Sequence, residues 1–210
     1  MNMCKEIAEK LLEIGAVTVR NPENLFTWAS GIQSPIYCDN RLTMGYPAVR
    51  EMIAQEFVDF IHTYYPGVEI LVGTATAGIP HAAWVAQKMN LPMAYVRSSA
   101  KGHGKGNQIE GKIEKGQKAI VIEDLLSTGG SSVKTVQALR ESGVEVLGVV
   151  AIFTYGFPQV EEAFAMEKIN YHTLTSYQIL LPIAVEKGMI QEHELELLEK
   201  WSKDPYIFSK

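Results

Sequence analysis

Glu123 and Asp124 stand side by side at the end of an apolar run, Ala119 to Ile122, in the stretch "AIVIEDLLSTGGSS". Leu125, Leu126, Ser127, Thr128, Gly129, Gly130 and Ser131 follow them. Neighbouring carboxylates suit the adjacent hydroxyls of a sugar, which donate hydrogen bonds to them; they do not suit a phosphate, because like charges repel. The turn behind them has the opposite character. Where a turn opens a helix, backbone N–H groups lack intrahelical acceptors and the helix dipole adds positive potential. Glycines at 129 and 130 permit close approach, and Ser127, Thr128 and Ser131 add hydroxyl donors. A phosphate in the turn and a sugar ring on the acids is the chemistry this order of residues fits.

Two other stretches carry candidate chemistry. "GTATAGIP", Gly73 to Pro80, ends an apolar run with small residues, so that its amides can face a second phosphate. "RSSAKGHGKGNQIEG" sets Arg97, Lys101, His103 and Lys105 among Gly102, Gly104 and Gly106. Glycines between cations cost loop order, a pattern expected of a segment that closes on an anion. No G-x-x-x-x-G-K-[ST] accompanies the acids, which sets aside a P-loop ATPase. Cys4 and Cys38 lack zinc spacing, and His62, His81, His172 and His193 are scattered.

These stretches need elements to position them. Ala119–Ile122 reads as a buried strand with the acids emerging at its carboxyl end, and Ser131–Ser142 as a helix. "EILVG", "PMAYVR" and "VEVLGVVAIFTY" read as further strands, with a helix over Ala82–Lys88 between the first two. Ahead of them come an amphipathic helix ending at Gly15, short strands and turns from Val17 to Asn40, and a helix over Ala48–Tyr64. Beyond Phe157 a helix, a short strand over Tyr171–Leu174 and two more helices are expected. Apolar strands alternating with helices predict an α/β fold: an open, mainly parallel twisted sheet flanked by helices, with ligands beyond the strands' carboxyl ends. The 210 residues are expected to form one domain, with 1–45 as a small hood and 98–112 as a mobile catalytic loop.

The run from Glu123 to Ser131 resembles the phosphoribosyl pyrophosphate signature of the type I phosphoribosyltransferases. The resemblance places the ribose hydroxyls on Glu123 and Asp124, and the 5-phosphate on the loop through Leu125, Leu126, Ser127, Thr128, Gly129, Gly130 and Ser131. Arg97 to Gly111 is similar to the catalytic loop of the orotate phosphoribosyltransferases within that family. It implies that Arg97, Lys101 and His103 contact pyrophosphate, often in the neighbouring subunit's site, so that a homodimer sharing the loop is expected. "FTWASGIQSPIYCDNRL" resembles the hood over the base in the same branch. The implied reaction joins orotate to phosphoribosyl pyrophosphate, giving orotidine 5-phosphate and pyrophosphate. Mg2+ is implied as cofactor, held mainly through the substrate and by no direct protein ligand. Lys101, His103 and Asp124 are the implied catalytic residues; Arg41 and the backbone near Ser127 are the candidates for orotate.

The chain departs from that pattern at several places. Ser98 stands where some members have lysine, and Ala29, Ala77 and Tyr155 stand where others carry cations. Two alternatives keep the same phosphate turn: a phosphoribosyltransferase for a purine base, and a non-catalytic regulator that senses phosphoribosyl pyrophosphate. A net charge of -5 argues against a nucleic-acid partner. Acidic residues in the first helix argue against a signal peptide, and no apolar run reaches the ~20 residues of a membrane span, so a cytoplasmic protein is expected.

Overall fold

The computed structural model describes residues 3–21, 23–28, 31–99 and 108–208. Helix α1 (Met3–Glu13) buries Ile7, Ala8, Leu11 and Leu12 along one stripe and ends at Gly15, whose φ of 72° suits glycine. Strands β1 (Val17–Val19), β2 (Phe26–Thr27), β3 (Gln33–Ser34) and β4 (Ile36–Cys38) form two small antiparallel pairs, β1 with β4 and β2 with β3. A 3-10 turn over Asn40–Gly45 leads to α2 (Pro47–Tyr64), which has proline in its first turn.

The sheet-forming part begins with β5 (Ile70–Thr74), all of whose residues are buried. Then come α3 (Gly78–Met89), β6 (Met93–Val96), β7 (Ile109–Glu110), β8 (Lys118–Leu126) and α4 (Gly130–Glu141). They are followed by β9 (Glu145–Thr154), α5 (Pro158–Met166), β10 (Tyr171–Ser176), α6 (Tyr177–Glu186) and α7 (Leu195–Lys203). Among the described residues the central sheet has the order β10-β9-β8-β5-β6-β7, parallel except for β7. Alternate residues of β8 serve different cores. Ile120 and Ile122 pack in the core that includes residues of α1, α2 and α3, whereas Ala119 and Val121 pack with Val136 and Leu139 of α4.

This order puts the reversal between β5 and β8. From β5 the chain crosses through α3 to β6 on one side, and from β8 it crosses through α4 to β9 on the other. A crevice opens where two such connections diverge, beyond the strands' carboxyl ends. Both turns singled out in the sequence lie there.

Three of the element boundaries that differ from the sequence reading bear on the site. Strand β8 continues through the acids to Leu126, because β9 supplies partners that far: Glu123 opposite Ala151, Leu125 opposite Phe153, Leu126 opposite Thr154. The far end of the expected 98–112 loop is the strand β7, pairing Ile109 with Val96 and Glu110 with Tyr95. Helix α3 starts at Gly78 rather than Ala82; Pro80 falls in its first turn, where a missing N–H costs no hydrogen bond.

Candidate active site

Helix α4 starts on Gly129, whose φ is 78°, and no side chain caps its first turn. Those N–H groups have no intrahelical acceptor, so the turn keeps free donors and the positive end of a dipole. Gly130 is exposed, and an added Cβ there would meet no described residue within 4 Å. Gly129 is different: it is buried, and a Cβ would strike the ring of Phe164. One glycine therefore leaves the opening clear while the other packs the turn onto α5.

Glu123 is almost wholly buried. Its Oε2 accepts from the Ser131 hydroxyl at 3.2 Å and the Ser132 hydroxyl at 3.1 Å, and its Oε1 accepts from the Asp124 N–H at 3.2 Å. Burial, and then the neighbouring Asp124 charge, push its carboxyl up to about 8. Burial also pushes Asp124 up. The two acids thus stand side by side at the crevice floor, Glu123 buried and Asp124 half-buried. Ser131, expected to offer its hydroxyl to a phosphate, gives it to Glu123 here. Leu126 turns its side chain into the core, and its carbonyl accepts from Thr154 Oγ1 at 3.0 Å. Leu125 is half-buried, and Ser127 and Thr128 reach the surface of the turn.

The hood is fastened to this floor. Asn40 Nδ2 donates to the Asp124 carbonyl at 2.6 Å, and its Oδ1 accepts from Cys38 Sγ at 3.2 Å. The Cys38 N–H donates to the Tyr155 hydroxyl at 3.2 Å. Tyr155 is buried and packs on Trp28, at 4.9 Å between ring centroids, and on Phe157 at 5.4 Å. Trp201 of α7 closes the cluster; its Nε1 donates to the Gln33 carbonyl at 3.0 Å. Tyr155 therefore anchors the hood and presents no cation to the crevice. Arg41 is exposed, and its Nε donates to Asp39 Oδ1 at 2.8 Å.

Two neighbouring spaces result. An open cleft of about 340 Å³ is lined by Asp39, Arg41, the Ala75–Ala77 turn, both acids and Ser131. A smaller cavity of about 180 Å³ shares Ala75 and Ser131 with it and holds Arg97, Gln108 and Lys134. Arg97 is fixed at the end of β6: its N–H donates to the Gln108 carbonyl at 2.9 Å, its carbonyl accepts from Gln108 Nε2 at 2.8 Å, and its guanidinium lies 3.7 Å from Glu110. In the other turn the Ala75 N–H is taken by the Val96 carbonyl at 2.9 Å. Lys101 and His103 lie outside the described residues.

Sequence reasoning missed Asn40 and Lys134. Asn40 acts across 84 positions, a contact no local pattern announces. Lys134 had one signal, its place three residues after Ser131 on the same helix face.

Comparison with known proteins agrees with this geometry. Residues 44–170 match the family described as "Phosphoribosyl transferase domain". A Bacillus cytotoxicus protein named orotate phosphoribosyltransferase is 58% identical, over 97% of this chain and 96% of that protein. Among solved structures, an orotate phosphoribosyltransferase from Aeropyrum pernix superposes with a TM-score of 0.75 at 28% identity, covering 84% of this chain and 97% of that one. A Leishmania donovani UMP synthase gives a TM-score of 0.77 at 27% identity, over 94% of this chain and 42% of that longer one.

Proposed function

The chain belongs to the orotate phosphoribosyltransferase family, and we propose that its crevice transfers the 5-phosphoribosyl group from phosphoribosyl pyrophosphate to orotate, releasing pyrophosphate. The observation that carries this reading is the uncapped start of α4, with Gly130 open, directly beside the buried carboxyl group of Glu123 and the half-buried one of Asp124. The turn takes the 5-phosphate, and Glu123 and Asp124 take the ribose hydroxyls.

The bond from the anomeric carbon to pyrophosphate breaks as the orotate nitrogen bonds to that carbon. Positive charge builds on the ribose ring, and the departing bond's electron pair leaves with pyrophosphate. Asp124 lies where it can stabilise the cationic ring. Arg97, with Lys101 and His103, stabilises the leaving group; one preorganised contact of this kind is worth about 2.7–4 kcal/mol in the transition state. Arg41, at the hood side of the cleft, offers a positive charge to the orotate carboxylate.

Among the described residues no cluster of three or more His, Cys, Asp or Glu could hold a metal ion. The hard oxygen ligands on the crevice floor are Glu123 and Asp124. They take the ribose hydroxyls, so Mg2+ would be held mainly through the substrate's own oxygens rather than by a direct protein ligand. When bound, the ion neutralises charge on the pyrophosphate.

The direct test is to add orotate, phosphoribosyl pyrophosphate and Mg2+ and to follow the loss of orotate absorbance, with adenine and hypoxanthine as competing bases. Turnover of a purine in place of orotate would overturn the base assignment. The resemblance also supports a homodimer in which the 98–112 segment serves the neighbouring site. Mixed dimers of a Lys101→Ala chain with an Asp124→Asn chain should then recover activity that neither parent dimer has. Verified mixed dimers without any recovery would exclude sharing.

A further inference from the structure

The end of β8 that carries the acids has unequal neighbours. Strand β9 accompanies it to Leu126 opposite Thr154, but pairing with β5 stops at Gly73 opposite Ile122. Past that point β5 turns away, and among the described residues β8 has a strand on one side only. A backbone carbonyl buried in such a gap needs another donor, because leaving it unpaired is costly. The Asp124 carbonyl finds one in the hood, where Asn40 Nδ2 donates to it at 2.6 Å. Asn40 is 1% exposed, so water does not compete for the bond.

Asn40 is itself fixed. A carbonyl can only accept, so Nδ2 must face Asp124, and Oδ1 is left to the Cys38 thiol, which donates to it at 3.2 Å. Burial pushes that thiol well above its ordinary range, and it keeps the proton it donates. The Asn40 carbonyl accepts from Thr43 Oγ1 at 2.6 Å. The Asp124 N–H is tied as well, donating to Glu123 Oε1 at 3.2 Å. Both backbone groups of Asp124 are therefore held, one by the adjacent acid and one by the hood.

We infer that Asn40 is a positioning residue for the transfer: it holds the Asp124 peptide so that the Asp124 carboxylate stays set against the ribose. This rests on the reading of the crevice as a phosphoribosyl-transfer site. Rotation of that peptide would swing the carboxylate carried on its Cα, and a misplacement of about 1 Å can cost about 10²-fold in rate. Arg41, the candidate for the orotate carboxylate, is the next residue of the same 3-10 turn. One short hood segment therefore fixes the acid under the ribose and carries the cation offered to the base.

The test is a double-variant cycle of Asn40→Ala and Asp124→Asn, read as kcat at saturating orotate and phosphoribosyl pyrophosphate, with melting temperatures alongside. Asn40→Ala should lower kcat about thirtyfold in the parent but less than about twofold beside Asp124→Asn, whose own defect already contains the loss. The KM for phosphoribosyl pyrophosphate should move less than about threefold, since the phosphate turn is untouched. Trp201→Phe is the control for hood stability, because Trp201 bonds the Gln33 carbonyl rather than the crevice floor. It should lower the melting temperature and keep kcat. If Asn40→Ala behaved in the same way, less stable but with full kcat, the inference would be overturned and the crevice reading would stand. Losses that multiply in the double variant would also overturn it, because Asn40 would then act elsewhere than through Asp124. Parent-like kcat in Asp124→Asn would overturn the crevice reading and the inference with it. If Asn40→Ala does not fold, Cys38→Ala decides. Losing the thiol's bond to Asn40 Oδ1 should lower kcat about threefold, again only while Asp124 is present, and an undiminished kcat would overturn the inference.

Discussion

The two turns at the switch point, Ala75–Ala77 after β5 and Ser127–Gly129 after β8, share one local plan: strand, small residues, helix. They use it differently. In the first, glycine serves packing. A Cβ on Gly73 would sit 2.8 Å from Ile79 Cα, and one on Gly78 would strike the Ile122 carbonyl oxygen of β8. In the second, Gly130 faces open space and the acids stand beside it. The first turn sets the distance between α3 and the strand bearing the acids; the second is left open to a ligand. Glycine in a strand-to-helix turn is therefore not by itself a sign of phosphate contact.

The largest effect separating them should come from Asp124→Asn. Its carbonyl, which holds Asn40, is kept, so the hood stays fastened. Removing a carboxylate from an adjacent pair relieves repulsion, so the melting temperature should hold or rise. Turnover should fall by about 10²–10³, the scale expected when one preorganised electrostatic contact is lost. Retained turnover would break the assignment of chemistry to the second turn.

A pH difference sharpens the contrast. His81, in the helix that follows the first turn, is buried against Phe57 and Trp84, and its Nδ1 has no hydrogen-bond partner among the described residues. Burial pulls it from its ordinary 6.5 down to about 4. Between those values the unfolded chain binds more protons than the folded one. Stability therefore rises with pH across that window and is lost as pH falls through it. At 1.36 kcal/mol per pH unit the loss is at most about 3 kcal/mol. Glu123 works in the other direction: raised to about 8, it favours the folded state at low pH, and that contribution is lost as pH rises from 4.5 toward 8. Urea midpoints at pH 5 and 7 for His81→Leu should show a smaller acid-side loss than the parent. An unchanged difference would remove His81 as its source.

Much of this was legible in the sequence, for local reasons. The strands β5, β8 and β9 are apolar runs bounded by turns, and the acids and the hydroxyl-glycine stretch that the fold brings to the crevice stand at consecutive positions. What was not legible depends on neighbours. Strand β7 has two residues and exists because Val96 and Tyr95 offer it an edge. The end of β8 was set by β9. That the Ser131 hydroxyl donates to Glu123 is visible only in the fold. Lys134 is one lysine on a helix until the order β8-β5-β6 brings Arg97 to the same cavity. Tyr155 looks like a missing cation, and only the packing of Trp28, Phe157 and Trp201 shows it as an anchor.

The comparison of the two turns has its plainest test in one methyl group placed at each. Gly78→Ala puts a Cβ against the backbone of β8, which cannot yield as a flexible side chain would, and overpacking of this kind costs about 1–3 kcal/mol. It should lower the melting temperature, and any loss of activity should follow from the displaced strand. Gly130→Ala puts the same methyl where no described residue lies within 4 Å, on a backbone without positive φ. Stability should stay within about 1 kcal/mol of the parent, with a gain as plausible as a loss because alanine restricts the unfolded chain. The KM for phosphoribosyl pyrophosphate should nevertheless rise about tenfold, the equivalent of roughly 1.4 kcal/mol, since the methyl occupies the phosphate's approach. If Gly130→Ala left that KM unchanged, the open space above α4 would not be the phosphate seat. If Gly78→Ala were silent in the melt, the first turn would not be setting the separation of α3 and β8.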